Sequence, residues 1–248
     1  MGSSHGEGRR RLLVADLDAG REIQWLEPKN MPPNDGILRS WADPGLGLDV
    51  DATDRMVDRL GRSMGKNLGW VVIRDVGSDD WPLIKDSFME LERRFGGPYT
   101  YTEDSVKDMF EDPRSMVLVL ERGKELVGFL FGGPIEKPYF SSLEKVPEDP
   151  GYGKGNTFYG AGLAVVENHR GHRLSYLLLD RLVEVLESGN FPEDGAYEFF
   201  SGRALIDSPP HKFYKRHDAS IKIHPGGYER TGKDMAYMII KLKQGRQD

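Results

Sequence analysis

A turn rich in arginine and histidine stands directly before the most regular helical pattern of the chain. The turn is Arg170-Gly171-His172-Arg173, and apolar residues then recur at helical spacing, at Leu174, Leu177, Leu178, Leu182, Val185 and Leu186. The first backbone N–H groups of a helix have no partner within it and lie at the positive end of its dipole. Two arginines would add charge there, although they could instead be solvated side chains. The pattern favours a cradle for a pyrophosphate group.

The remaining patterns predict the elements that hold this turn. An apolar strand is expected over 157–166, immediately before the turn, and the helix over 173–188. Other expected segments are a strand at 70–74, helices at 80–95 and 102–110, a hairpin of 116–121 with 126–131, a long loop at 133–156, a strand at 196–201, a helix near 209–217 and strands near 220–224 and 235–242. This order predicts an α/β fold, a mixed and mostly antiparallel sheet flanked by helices.

The amino-terminal part has a different composition. Residues 1–66 are rich in proline and glycine and contain one short helical pattern, Asp51 to Met64. Met1 to His5 is typical of the remnant of an expression tag. We therefore expect an N-terminal extension over 1–66 and a main domain over 67–248.

Composition narrows the function classes. The 248 residues include no cysteine and carry a formal net charge of −6. Disulfides, thiolate metal sites and a cysteine nucleophile are therefore excluded, and nucleic acid is a poor default partner. His169 and His172 straddle a turn without a nearby third ligand, so no metal is expected. No apolar run approaches the length of a membrane helix. The sequence predicts a cytoplasmic protein that does not bind membranes.

Two motifs and the element order resemble the GNAT superfamily of acetyl-CoA-dependent N-acetyltransferases. Arg170 to Ser175 corresponds to the family pattern Gln/Arg-x-x-Gly-x-Gly/Ala, and Asp207 to Tyr214 corresponds to Asn-x-x-Ala-x-x-Phe-Tyr. The chain departs from these patterns at Arg173, Asp207 and Pro210, while Phe213-Tyr214 is retained. The resemblance covers about residues 68 to 242 and implies a GNAT-like acyl-CoA N-acyltransferase fold.

The resemblance implies acetyl-CoA as the acyl donor, with no metal. Its pantetheine would pair with the backbone of Leu163, Ala164 and Val165 as an added strand does. A backbone N–H near Val165 would donate to the oxyanion that forms from the thioester carbonyl. The pyrophosphate would be bound by residues of the turn and the helix start, which are Arg170, Gly171, His172, Arg173, Leu174 and Ser175.

The resemblance also suggests the reacting groups. Tyr214 would be the general acid that protonates the departing thiolate, unless it is a core aromatic residue. The general base would be Glu167, Glu198 or a chain of waters. The acceptor site would be formed by the loop after the first helix, where Tyr99, Tyr101 and Glu103 suit a cationic amine.

The sequence thus favours an N-acetyltransferase that moves an acetyl group to a primary amine by direct attack in a ternary complex. The acceptor could be a small molecule, a peptide or a protein, and the resemblance also allows a homodimer. The alternative is a non-catalytic GNAT-like module that binds acyl-CoA as a sensor or binds another protein.

Overall fold

The computed structural model describes residues 12–16, 24–26, 70–96, 100–122, 125–137, 149–170, 173–189, 191–192, 196–228 and 232–243. The strands are β1 (Leu12–Asp16), β2 (Gln24–Leu26), β3 (Trp70–Val76), β4 (Met116–Arg122), β5 (Glu125–Pro134), β6 (Thr157–Val165), β7 (Phe199–Leu205), β8 (Ser220–Tyr228) and β9 (Lys233–Lys241). The helices are α1 (Trp81–Phe95), α2 (Glu103–Glu111), α3 (Leu174–Glu187) and α4 (Pro209–Arg216). The predicted mixed α/β fold is confirmed.

The chain divides into two compact units, Met1–Asp75 with Val119–Val127 and Val76–Leu118 with Gly128–Asp248. In the first unit, β1 pairs antiparallel with both β2 and β3. Arg74 in this unit donates two hydrogen bonds to the Glu121 carboxylate, at 3.2 and 2.9 Å. The predicted helix at 51–64 lies outside the described residues, and the predicted domain boundary after residue 66 stays a prediction.

The second unit contains the start of β4 and most of β5, followed in sheet order by β6, β7, β9 and β8. The pairs β5–β6, β7–β9 and β8–β9 are antiparallel, and β6–β7 is parallel. A parallel pair requires a crossover connection, which α3 provides here. The prediction of a mixed, mostly antiparallel sheet is therefore confirmed.

Aromatic and aliphatic side chains fix the helices of this unit to the sheet. Phe88 of α1 stacks on Phe129 of β5 with ring centroids 4.5 Å apart. The stripe predicted for α3 is buried at Leu174, Leu178, Leu182 and Leu186. None of the helices among the described residues has the length and apolarity needed to cross a membrane.

Two strands differ most from their predicted bounds. β7 covers 199–205 instead of 196–201, and β8 continues to Tyr228 instead of ending near 224. Gly202 and Arg203 weaken the local strand pattern of β7, yet both pair with β9, opposite Met238 and Tyr237. Backbone pairing between distant segments decides the extent of β7, and a local pattern does not contain that information.

Candidate active site

The parallel strands β6 and β7 separate partway along their length. Their register covers four pairs, from Thr157 opposite Phe199 to Gly160 opposite Gly202. Beyond that last pair, β7 continues along β9 to Leu205, and β6 continues along β5 to Val165. None of the described strands pairs with the other edge of β6 after Gly160. We call this place the strand parting, and it leaves one edge of 161–165 available to an extended ligand.

A bulge lies on β6 at the strand parting. Phe131 is opposite Gly162 and Gly132 is opposite Gly160, so Ala161 has no counterpart on β5. A bulge re-aims the strand next to it and is common beside active sites. The predicted pantetheine-binding residues, Leu163 to Val165, lie on β6 directly after it, with Leu163 and Val165 partly exposed and Ala164 buried.

The amino terminus of α3 fits an anion. Arg173 occupies the N-cap position, and no side chain among the described residues caps the helix there. The first turn contains no acidic residue, and the N–H groups of Tyr176 and Leu177 are the first to bond back to the Arg173 carbonyl. The N–H groups of Leu174 and Ser175 precede these bonds and are oriented toward the helix end. The predicted Gly171 and His172 lie outside the described residues.

Arg173 has a left-handed backbone, with φ 60° and ψ 16°. This conformation is unfavourable for a residue with a Cβ atom and is readily adopted by glycine. The family pattern has glycine at this position, so the structure supplies the physical reason for the family's choice. Here an exposed arginine adopts this conformation.

Arg170 connects the turn to the end of β6 and to α1. Its Nε donates to the Val165 carbonyl at 3.2 Å, and its guanidinium lies 5.4 Å from the Phe95 ring centroid. Arg94 lies 5.1 Å from the same ring and pairs with Glu167 at 3.4 Å. Arg94 is thus a further cation beside the turn that sequence analysis missed, because it belongs to a distant helix.

Tyr214 is placed at the strand parting. It is 2% exposed, and a Cβ atom added at Gly202 would lie 2.6 Å from its hydroxyl oxygen and 3.5 Å from the Gly160 carbonyl oxygen. Burial, with smaller effects from Tyr159 and Tyr237, raises the pKa of Tyr214 well above its usual value. The phenol therefore carries its proton at neutral pH, as a general acid must.

The two predicted bases are separated by the structure. Glu167 follows the end of β6, with its side chain 60% exposed and paired with Arg94. Glu198 is exposed at the beginning of β7, where its N–H and carbonyl bond to Asn156 and Leu242. Because Gly202 lies four residues further along β7, Glu198 is about 13 Å from the strand parting along an extended strand. Glu198 is not brought to the parting.

The predicted acceptor residues have different surroundings. The Tyr101 ring packs edge-on against Phe131 at 5.5 Å, and Phe131 in turn lies against the backbone of Gly162 on β6. Glu103 is exposed at the start of α2 and pairs with Lys85 at 3.0 Å. Tyr99 lies outside the described residues. Tyr101 is therefore the predicted acceptor residue whose contacts lead to the strand parting.

A buried carboxyl group behind Tyr101 was missed by sequence analysis. Glu92 of α1 is 2% exposed, and its Oε1 accepts the Tyr101 N–H at 3.0 Å. Burial raises the pKa of Glu92 to about 7, against the opposing effect of that hydrogen bond. A sequence signal exists, since Glu92 falls on the helical stripe formed by Phe88, Leu91 and Phe95.

A second buried polar group connects the β5–β6 loop to the sheet. The Tyr237 hydroxyl donates to Asp149 Oδ2 at 2.7 Å and lies 3.3 Å from Ser201 Oγ, and Asp149 Oδ1 accepts the Gly151 N–H at 2.7 Å. Burial and the bond to Asp149 raise the pKa of Tyr237 above its usual value. Asp149 and Tyr237 are 88 residues apart, so no local pattern predicts their contact.

The arrangement combines three chemical capacities. The free edge of β6 can pair with an extended amide-bearing chain, the α3 terminus can bind phosphate oxygens, and the Tyr214 hydroxyl can supply a proton. Among the described residues, no group of three or more acidic or histidine side chains could hold a metal ion.

Comparisons with known proteins find structures of the same fold. The chain is similar to the ribosomal-protein-S18-alanine N-acetyltransferase from Escherichia coli, with 13% identity, a TM-score of 0.50 and coverage of 72% of this chain and 97% of that chain. It is also similar to NAA60 from Arabidopsis thaliana in complex with a bisubstrate analogue, with 15% identity, a TM-score of 0.50 and coverage of 71% of this chain and 99% of that chain. A third similar structure is yncA, a putative acetyltransferase from Salmonella typhimurium with its cofactor acetyl-CoA. Its identity is 15% and its TM-score 0.50, and the match covers 71% of this chain and 96% of that chain.

These likenesses show a common fold at low identity. No curated protein sequence matches the chain. A model of the Acetyltransferase (GNAT) family matches residues 81–216, which is more than half of the chain and includes α1, the strand parting, α3 and Tyr214. The protein therefore belongs to the acetyltransferase (GNAT) family.

Proposed function

We propose that the protein transfers an acetyl group from acetyl-CoA to a primary amine by direct attack in a ternary complex. The observation that carries this proposal is the strand parting, where the buried Tyr214 hydroxyl lies beside the edge of β6 that pairs with none of the described strands. The helix terminus that fits an anion follows the far end of the same strand. Family membership supports acetyl transfer in general. The absence of cysteine leaves direct attack as the simpler route, because no thiol can carry the acetyl group.

The donor would be bound along β6 and at the start of α3. Its amide-bearing pantetheine would pair with the edge of residues 161–165, and its pyrophosphate would accept from the N–H groups of Leu174 and Ser175. Arg173 would add charge at the phosphates. Arg170 would keep the turn against the end of β6, since its guanidinium already bonds to the Val165 carbonyl.

In the reaction, the amine nitrogen would form a bond to the acetyl carbon while the carbon–sulfur bond breaks. The Tyr214 hydroxyl would give its proton to the departing sulfur, and the phenolate would recover a proton that the attacking amine releases. Glu167 follows the end of β6, seven residues after Gly160, and Glu198 precedes Gly202 by four residues. Either carboxylate would therefore deprotonate the amine through a chain of waters.

Two measurements test the proposal. In a thermal-shift titration, acetyl-CoA and CoA at a hundred times their dissociation constants should each add about 2.7 kcal/mol to the free energy of unfolding. ATP serves as the control for a general phosphate effect. No response to acetyl-CoA or CoA would refute the donor assignment.

The second measurement is release of CoA thiol in the presence of spermidine, tyramine or a peptide with a free amino terminus. The protein has no thiol of its own, so a colorimetric thiol reagent reports the product without background. Amine-dependent thiol release together with acetylated amine supports the enzyme. Acetyl-CoA binding without turnover on any amine would instead favour the non-catalytic acyl-CoA-binding module.

A further inference from the structure

Glu92 places a carboxyl oxygen inside the loop that connects α1 and α2. Its side chain is 2% exposed, and its Oε1 accepts the N–H of Tyr101, nine residues further along the chain. The bond spans the end of α1 and fixes the backbone immediately before α2. A buried carboxyl oxygen bonded to a main-chain N–H is a strong constraint, because breaking the bond would leave a buried polar group unpaired.

The end of α1 is shaped to admit this carboxyl group. A Cβ atom at Gly96 would lie 2.6 Å from Glu92 Oε1 and 2.9 Å from Thr100 Oγ1. Such distances are not tolerated between real atoms, so a side chain at position 96 would displace the carboxyl or the loop. Gly96 thereby leaves the space through which Glu92 reaches Tyr101.

A continuous series of contacts joins Glu92 to β6. The Tyr101 ring meets the Phe131 ring at 5.5 Å and 78°, and Phe131 lies against the backbone of Gly162. Gly162 belongs to the part of β6 that has lost its pairing with β7. Phe131 is fully buried and Tyr101 is partly exposed, so the Tyr101 ring is the face that a ligand can reach. The Tyr101 ring and the Phe131 ring behind it, which we call the acceptor wall, therefore adjoin the strand parting.

We infer that Glu92 is a positioning residue that holds the Tyr101 backbone and so fixes the acceptor wall against which the amine substrate binds. This inference rests on the proposed function. The two arginines that follow Glu92 on α1 have other partners, since Arg93 Nε donates to the Met89 carbonyl and Arg94 pairs with Glu167. The carboxyl group is thus assigned to the loop and not to an ion pair.

The test compares the wild type with Glu92→Gln and Glu92→Met. Glutamine retains an oxygen that can accept the Tyr101 N–H, whereas methionine has a similar length and no comparable acceptor. With the best amine of the thiol-release screen, Glu92→Met should raise the KM for the amine about tenfold, the effect of losing one hydrogen bond. The KM for acetyl-CoA should stay within about twofold, and Glu92→Gln should resemble the wild type.

A second readout does not depend on turnover. Hydrogen exchange at the Tyr101 amide should accelerate in Glu92→Met and not in Glu92→Gln, while amides in the middle of α1 keep their wild-type rates. Should Glu92→Met fail to fold, Gly96→Ala replaces it, because its Cβ atom displaces the same carboxyl without removing it.

The outcomes separate the inference from the proposed function. Equal Tyr101 exchange in all variants, or an equal rise of both KM values, overturns the positioning role. If the wild type binds acetyl-CoA yet acetylates no amine of the screen, the proposed function fails and the acceptor wall fails with it. Altered exchange would then still establish the Glu92–Tyr101 connection.

Discussion

Replacing Glu92 by glutamine should make the protein more stable at alkaline pH and leave its stability nearly unchanged in acid. The reason is the buried carboxyl group, whose pKa rises from 4.5 to about 7 in the folded state. Between these two pH values the folded protein binds more protons than the unfolded chain. The free energy of unfolding contributed by Glu92 therefore falls as pH increases through this window and levels off above it.

The magnitude follows from the two pKa values. A change from 4.5 to about 7 corresponds to about 3 kcal/mol, with no reduction for solvent screening because the side chain is 2% exposed. Glutamine is neutral throughout and resembles the protonated acid in shape. The stability difference between Glu92→Gln and the wild type should grow by about 3 kcal/mol between pH 4.5 and pH 8.5, which corresponds to about 6–12 °C in Tm.

The assay is urea or thermal unfolding of both proteins at several pH values from 4.5 to 8.5. Other titrating groups affect both proteins alike and cancel in the difference. Glu90→Gln, an exposed change on the same helix, is the matched control and should stay within about 0.5 kcal/mol of the wild type. A Glu92→Gln difference that does not change with pH would refute the claim that burial raises this pKa.

Three further variants test the donor side of the site. Tyr214→Phe should lower kcat about a hundredfold or more while the thermal shift with acetyl-CoA stays unchanged; unaltered turnover would make Tyr214 structural. Gly202→Ala should destabilise the protein by about 1–3 kcal/mol in urea unfolding, because its Cβ atom would lie 2.6 Å from the Tyr214 hydroxyl. Arg173→Gly should leave the free energy of unfolding unchanged or raise it by up to about 1 kcal/mol, because φ is 60° at this position. The same change should weaken acetyl-CoA binding measured by titration, and tighter binding would contradict a phosphate contact.

The central strand and helix could be predicted because their information is local. Leu174, Leu178 and Leu182 form a stripe within one helix, and the strand before them is a continuous apolar run. Patterns of this kind depend on neighbouring residues alone. The left-handed backbone at Arg173 could not be predicted from its residue type, because arginine rarely adopts it.

The sequence indicates which carboxylates could act as bases, but it does not show where the fold places them. Glu198 precedes a strand whose extent depends on pairing with β9, and the point where β6 leaves β7 is likewise a matter of distant pairing. Sequence analysis misses Glu92 because a glutamate on a helix is normally solvated, although its place on the stripe of Phe88, Leu91 and Phe95 is a signal for burial. Its burial follows from the packing of α1 on Phe129 and Phe131 and from the fold of the loop back to Tyr101.

Both sides of the strand parting are built by an aromatic ring against the backbone of a glycine. Phe131 of the acceptor wall lies against Gly162, and the Tyr214 hydroxyl lies over Gly202. Since no side chain intervenes, each ring contacts the strand itself, and its position follows from the course of that strand. The path of β6 after the bulge therefore sets the acceptor wall, and the path of β7 sets the proposed acid. A single feature of the sheet, the divergence of two strands after Gly160 and Gly202, thus positions groups that come from the loop between α1 and α2, from β5 and from α4.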